Sequence, residues 1–392
     1  MKVINLTGRI DSNNAGIVEE EISSQLAENP GEPFTFDATN LEYISSAGLR
    51  VLLKFRKMSG AKLEVLNVSN EVYDIFEVTG FTELFMVIKK PREFSAANLE
   101  KIGEGAVSTV FRINTDTIIK VYNKQPITFT EIERERFASR EAFIRGIPTA
   151  IPFEIVKYGQ HYGLIYEMID ADTMANILKD CPERLEELST KAGQLLKKLH
   201  SMEFEPGTFP DARDNQRARV KQAFDMKLIS AEDKAIADGI IDRIPYRNTF
   251  IHSDFHIQNI MVSGGDLVLI DIGEARLGDP INDLLVLYMY FAEMISPVFP
   301  EAAIVHYEQQ LGINRENIAR MWKIMTQEYF GTSDNDTLQH YADIMRVYAS
   351  FMMLEICART GRDDFELSKF IAGKYMSFLR EAADTLRPIE GI

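Results

Sequence analysis

Residues 252–259 read HSDFHIQN, and twelve residues beyond Asn259 comes Asp271, in LVLIDIGEA. Two histidines and two aspartates this close together fit a metal site, plain loop polarity, or a phosphoryl-transfer centre. Spacing separates the three. His252 and His256 stand four apart, which would suit one face of a helix, but the loop setting of Gln258 and Asn259 and the lack of an H-E-x-x-H pattern argue against zinc. Asp254 and Asn259 lie five apart between the strand-like NTFI and NIMV, and Asp271 follows a strand, LVLI, that would return beside them. Phosphoryl transfer to a hydroxyl needs a carboxylate to orient the hydroxyl and accept its proton, plus hard oxygen ligands for Mg2+. Asp254, Asn259 and Asp271 supply those groups.

Upstream lie residues suited to phosphates. Gly103 and Gly105 in GEGAVSTV sit between two strand-like runs, where a missing Cβ lets backbone amides approach phosphate oxygens. A glycine hairpin explains the same letters, the third position of G-x-G-x-x-G is Ser108, and no Lys-Ser or Lys-Thr pair follows as in a Walker A loop. Lys120 is the single ammonium of the apolar run TIIKVY. Buried without partners it would be costly, so it must reach solvent or meet anions. Nucleotide phosphates and a carboxylate from the next helix are the expected anions. Glu141 is the expected carboxylate because it shares a helix face with Ile144, with Glu133 and Glu135 as alternatives; an exposed helix charge is the plainer account of each.

The chain reads as two unlike parts. In the first 90 or so residues, strand-like runs (KVINLTGRI, PFTFDATN, AKLEVLNVS, LFMVIKK) alternate with amphipathic helices. Two of those helices are expected to end at Gly60 and Gly80, and KKPREFSAAN reads as a linker. From residue 97 three antiparallel strands are expected, with NTD as a hairpin turn, then the charged helix EIERERFASREAFIRG, two more strands, and a mostly helical remainder broken by strand signals at 250–272.

Composition narrows the partners. A formal charge of −16 over 392 residues, without a basic strip, repels nucleic acid phosphates; it would suit a cationic substrate, although solubility alone is the plainer account. Two distant cysteines, Cys181 and Cys357, offer neither a disulfide framework nor a thiolate zinc site. No apolar run approaches a membrane span and the N-terminus reads as a strand rather than a signal peptide, so no membrane partner and a cytoplasmic setting are expected.

Residues 97–390 resemble the aminoglycoside phosphotransferase and choline kinase family, a branch of the protein-kinase-like fold. GEGAVSTV, IIKVY, REAF, IHSDFHIQNIMV and LVLIDIGEARLGDPINDL carry the resemblance. The family writes H-G-D-x-H-x-x-N and I-D-x-x-x-A-x-x-G-D-P-x-x-D-L, so Ser253 stands in the glycine position. The resemblance implies a two-lobed α+β fold, with an N-lobe over 97–177 and a helical C-lobe over 178–392. It implies ATP, or GTP, and Mg2+ as cofactors; Asp254 as catalytic base; Asn259 and Asp271 as metal ligands; and Lys120 paired with Glu141 on the nucleotide phosphates. Gly103, Gly105 and Ser108 would cover the phosphates, and backbone groups of Glu167 and Met168 would meet the base at the hinge. Asp283 would anchor the catalytic loop. His256 stands where serine/threonine protein kinases carry lysine, which favours a small-molecule hydroxyl acceptor, bound by the segment FEPGTFPDARDNQRARVKQAF and the C-terminal helices.

Residues 1–92 are expected to form an α/β domain with a mixed sheet. FDATNLEYISSAGLRVLL resembles the STAS domain of anti-sigma factor antagonists, whose loop reads D-S-S/T-G-L with a phosphorylatable serine after the aspartate. Alignment on Gly48 and Leu49 puts Ser46 at that serine and Ser45 at the aspartate. Either serine could instead cap the helix, and a helix N-terminus favours both roles. The resemblance implies a protein partner for this domain. Two other functions remain open: a protein kinase that modifies Ser46, and a nucleotide-sensing module without catalysis.

Overall fold

The computed structural model describes residues 2–59, 63–95, 98–105, 107–361 and 364–389. The chain folds as two compact units, residues 1–97 with 155–163, and residues 98–154 with 164–392.

The first unit runs β1 (Lys2–Ile10), α1 (Ala15–Ala27), β2 (Phe34–Ile44), α2 (Ser46–Ser59), β3 (Glu64–Val68), α3 (Asn70–Val78), α4 (Phe81–Leu84) and β4 (Met86–Lys89). The sheet order is β1-β2-β3-β4 and every pairing is parallel, where a mixed sheet was expected. Helical crossovers explain this: a chain that passes through a helix between strands returns in the same direction. The core joins Ile4, Phe36, Leu41 and Val65 of the strands to Leu52 and Phe55 of α2 and Val72 and Phe76 of α3, all at most 3% exposed. Ser69 caps α3 by accepting from the Val72 N–H at 3.3 Å, and Gly80 adopts φ +73°, beyond the helix end. The expected stop at Gly60 lies outside the described residues.

The second unit opens with β5 (Glu100–Glu104), β6 (Thr109–Arg112) and β7 (Thr117–Val121), then α5 (Phe129–Ile144); β8 (Pro152–Tyr158) and β9 (His161–Glu167) follow, their residues 155–163 being counted with the first unit. These strands form a sheet in the order β5-β6-β7-β9-β8, antiparallel from β5 to β7. Helix α5 starts with a capping box: the Glu131 N–H donates to Thr128 Oγ1 at 3.3 Å while Glu131 accepts from the Thr128 N–H at 2.7 Å.

Then follow β10 (Asp172–Thr173), α6 (Met174–Asp180), α7 (Leu185–His200), α8 (Ala212–Asp225), α9 (Ala231–Asp242), β11 (Phe250–Ile251), β12 (Ile260–Ser263), β13 (Asp266–Leu269) and β14 (Arg276–Leu277). The chain ends in α10 (Ile281–Phe291), α11 (Glu301–Leu311), α12 (Arg315–Phe330), α13 (Asn335–Thr360) and α14 (Phe365–Ala382). Helix α10 is apolar on nearly every face and packs against α12 and α13, which makes it the centre of the helical core. Among the described residues no helix is long and apolar enough to cross a membrane.

Candidate active site

The loop 252–259 is held between β11 and β12, and β12 pairs antiparallel with β13, with Ile260 opposite Leu269. The ladder extends one step further, the Ile270 N–H donating to the Asn259 carbonyl at 3.0 Å. A short hairpin therefore carries Asp271 back beside the loop, as the strand signals required.

Asp283, fully buried at the start of α10, pins the loop. Its Oδ2 accepts from the His252 N–H at 2.8 Å and its Oδ1 from the Ser253 N–H at 2.6 Å. His200 Nε2 lies 3.1 Å from the same Oδ2, and Tyr329 bonds His200 Nδ1 at 2.7 Å. Held by this carboxylate, Ser253 adopts φ +72°, the left-handed region that glycine enters freely and serine does not. The glycine of the related pattern is gone, but the backbone shape it allows is kept.

Both histidines serve as braces. His252 is buried; its Nδ1 accepts from the Asp254 N–H at 3.2 Å and its Nε2 lies 3.3 Å from the Ile270 carbonyl, which defines a neutral ring with the proton on Nε2. Burial holds its pKa below the usual histidine range. His256 Nδ1 accepts from the Gln258 N–H at 3.2 Å, and its Nε2 lies 3.3 Å from Asp254 Oδ2. Asn259 Nδ2 donates to the Asp254 carbonyl and to Asp254 Oδ2, both at 3.0 Å. Burial works against ionisation of Asp254, but the His256 and Asn259 hydrogen bonds prevail and hold its carboxyl below the ordinary aspartate range.

Lys120 on β7 donates to Glu135 Oε1 at 2.8 Å and to Asp271 Oδ1 at 2.6 Å. Burial would lower its pKa, yet the two carboxylates raise it. The field of Lys120 in turn keeps Asp271 ionised. The carboxylate of α5 is thus Glu135, and Glu141 is not the partner. Glu135 lies on the buried face with Ile132, Ala138, Ser139 and Ala142, whereas Ile144, which shares the face of Glu141, is 59% exposed. Tyr166 donates to Glu135 Oε1 at 2.8 Å, and a Cβ added to Gly273 would come within 3.1 Å of the Glu135 side chain. Tyr166, His200 and Gly273 carry no signal in the local sequence pattern, because each is defined by a neighbour more than 30 residues away or by the register of α5.

Other expected nucleotide contacts are changed in detail. The Gly105 N–H is spent on the Ser108 carbonyl at 2.9 Å, and Ser108 is buried, so neither group is free for a phosphate; Ala106 lies outside the described residues. The Glu167 N–H donates to the Ile151 carbonyl at 2.9 Å and the Met168 N–H to the Asp116 carbonyl at 2.8 Å, so neither amide is left to donate to a base.

The oxygen donors suit a hard divalent ion. Asn259 spends its amide nitrogen on Asp254 and leaves Oδ1 uncommitted among the described residues, and Asp271 has one oxygen on Lys120 and a side chain that is half exposed. In the loop before α2, the Ser45 Oγ accepts from the Ala47 N–H at 3.2 Å and weakly from the Gly48 N–H at 3.5 Å, while Ser46 is the first helical residue and is exposed. Ser45 is therefore the cap. A Cβ on Gly48 would meet Ile44 Cγ1 at 2.7 Å and Ile10 Cγ2 at 2.8 Å, so only glycine fits there.

Residues 98–321 match the phosphotransferase enzyme family, and residues 1–94 match the STAS domain. BtrV of Bordetella bronchiseptica, a protein assigned as an anti-sigma factor antagonist, is 36% identical over 102 residues, covering 25% of this chain and 84% of BtrV. The ADP-bound aminoglycoside phosphotransferase APH(2'')-Ib aligns at 17% identity with a TM-score of 0.48, covering 79% of this chain and 98% of the other. A choline/ethanolamine kinase family protein from Mesorhizobium loti aligns at 17% identity with a TM-score of 0.45, covering 74% and 89%. The chain belongs to the phosphotransferase enzyme family. It is a phosphotransferase with an N-terminal STAS domain of the anti-sigma factor antagonist kind.

Proposed function

We propose that the chain transfers the γ-phosphoryl group of ATP, with GTP as the alternative donor, to a hydroxyl of a small molecule in the cytoplasm. The observation that carries this reading is the pairing of an ionised, half-open Asp254 with a Lys120–Glu135–Asp271 cluster. In the reaction, the acceptor oxygen bonds to the γ-phosphorus as the bond to the β-bridging oxygen breaks, the hydroxyl proton passes to Asp254, and the nucleoside diphosphate leaves. Lys120, held by Glu135, supplies the cation for the nucleotide phosphates. A Mg2+ ion held by Asn259 and Asp271 would neutralise charge on those phosphates. The carbonyls of Glu167 and Met168 are the hinge groups left for the base, since their amides are used within the protein.

Incubation with ATP, Mg2+ and a panel of alcohols tests the reading. Asp254→Asn is expected to lower turnover by about 10^2- to 10^4-fold without changing the melting temperature; turnover that survives this substitution would refute the assignment.

A second reading concerns Ser46. Because Ser45 does the capping, the exposed Ser46 hydroxyl is left for phosphorylation at a helix N-terminus that favours the phosphate. In this reading the STAS domain binds a protein partner under control of that phosphate. Intact mass after incubation with ATP would show an added phosphate, absent in Ser46→Ala; an unchanged mass excludes modification by this chain.

A further inference from the structure

His256 connects Asp254 to the helical core, and the connection leads to a set of charges that the reaction itself does not require. Its ring lies against Tyr290 near the end of α10, with centroids 4.7 Å apart. Tyr290 is fixed through its carbonyl, which accepts from the Tyr307 hydroxyl at 2.7 Å. Its own side chain is half-buried, and the hydroxyl makes no hydrogen bond among the described residues.

Helices α8 and α10 both pack on α13. From α8 comes Arg219, only 7% exposed. Its Nε donates to Glu355 Oε2 at 2.8 Å and its Nη1 to Gln216 Oε1 at 3.1 Å, and Gln216 is fixed in turn by donating to Asn282 Oδ1 at 3.0 Å. The remaining arm, Nη2, has no partner among the described residues. On α13, Arg359 follows Glu355 by one helical turn and is exposed. These groups lie within electrostatic reach of the Tyr290 phenol: burial and Asp254 push its pKa up to about 12, while Arg359 and Arg219 oppose the rise.

Nη2 is not among the buried atoms left without a partner, so this arm of a mostly buried guanidinium opens to solvent, where it can give a charge-assisted hydrogen bond to a carboxylate or phosphate. Glu355 takes Nε and Gln216 takes Nη1, so Nη2 is the donor left for a further anion. Apart from Asp254, two arginines face one glutamate here, in a chain whose formal charge is −16. A polycationic acceptor would be repelled at this spot, and an anionic one would complete it.

We propose that the acceptor is an alcohol bearing a phosphate or carboxylate, which docks on the open arm of Arg219 and on Arg359 while its hydroxyl is presented to Asp254. The inference rests on Asp254 being the base that receives the hydroxyl proton. It runs against the expectation from net charge, which suited a cationic substrate.

Steady-state kinetics with ATP and Mg2+ would compare glycerol 3-phosphate and glycerate with glycerol, choline and kanamycin. The anionic alcohols should be preferred to glycerol by about tenfold or more in kcat/KM, as one charge-assisted hydrogen bond provides. Arg359→Glu should raise their KM by about tenfold with a smaller effect on kcat, and Arg359→Lys should recover part of the loss. The phosphate and carboxylate arms identify which anion is bound. Preference for glycerol, choline or kanamycin, or an acceptor KM unmoved by Arg359→Glu, would overturn the inference. A binding arm separates it from the reaction: with Mg2+ and a non-hydrolysable ATP analogue saturating the nucleotide site, the melting temperature is followed as each anionic alcohol is added. A rise lost in Arg359→Glu supports the anion site even if nothing is phosphorylated, in which case the hydroxyl-transfer reading fails alone. No rise with either alcohol overturns the anion site.

Discussion

In the loop before α2, Ser45 stands where the anti-sigma factor antagonist pattern has aspartate; in the loop after β11, Ser253 stands where the phosphotransferase pattern has glycine. At Ser253 the shape survives. Two backbone N–H groups clamped by Asp283 hold the residue at φ +72° although its side chain disfavours it. At Ser45 the shape survives as well, because serine accepts the same N-terminal hydrogen bond that aspartate would. What is lost there is a charge. One replacement stores strain in the backbone and leaves the chemical groups of the loop in place, while the other costs nothing in structure and removes an anion beside Ser46.

The largest test of this contrast is Asp283→Ala. It leaves the buried His252 N–H, the half-buried Ser253 N–H and His200 without their acceptor, and should cost about 3 kcal/mol, measured by urea unfolding, together with loss of turnover. A small cost would mean that Ser253 holds its conformation without the clamp. Gly48→Ala pushes a methyl into Ile44 and Ile10 and should destabilise the first unit by about 2 kcal/mol. Ser45→Ala should cost about 1 kcal/mol and Ser45→Asp close to nothing, since only the former removes the cap. If both cost the same, the capping hydrogen bond is not what the serine contributes.

Ser253→Gly should gain about 0.5–1 kcal/mol, because relief of the left-handed strain exceeds the entropy of a new glycine; a loss instead would show that the hydroxyl is used. The last test moves no stability. Asp254 is held below the usual aspartate range, so turnover should persist at neutral pH and fall only on acidification through that depressed pKa. His256→Leu removes a hydrogen bond to the ionised form, so the acid limb of the rate profile should move to higher pH.

The legibility of the site in the sequence followed contiguity. Asp254, Asn259 and Asp271 lie within one hairpin whose strand signals are local, so their meeting could be read from spacing. Glu135 could not be chosen over Glu141, because the buried face of α5 is built largely from Ala138, Ser139 and Ala142, small residues that leave little apolar contrast, while Phe143 and Ile144 face solvent. The division of labour between Ser45 and Ser46 depends on which residue starts the helix, and adjacent serines have equal capping ability. The use of the Met168 amide depends on strand register, which composition does not encode. The parallel run of the first sheet was open to inference from its helical crossovers, and the strand patterns alone did not demand it.

Gly273 has a consequence for how this molecule could change over generations. The clearance between α5 and the turn after Asp271 is a few tenths of an ångström short of what a methyl needs, since a Cβ there would reach the Glu135 side chain at 3.1 Å. The fit is tight. A single-nucleotide change to alanine would press on the Glu135 side chain, which would have to give by a few tenths of an ångström while holding Lys120, so a residue that touches no substrate bears on which neighbouring sequences this lineage can reach.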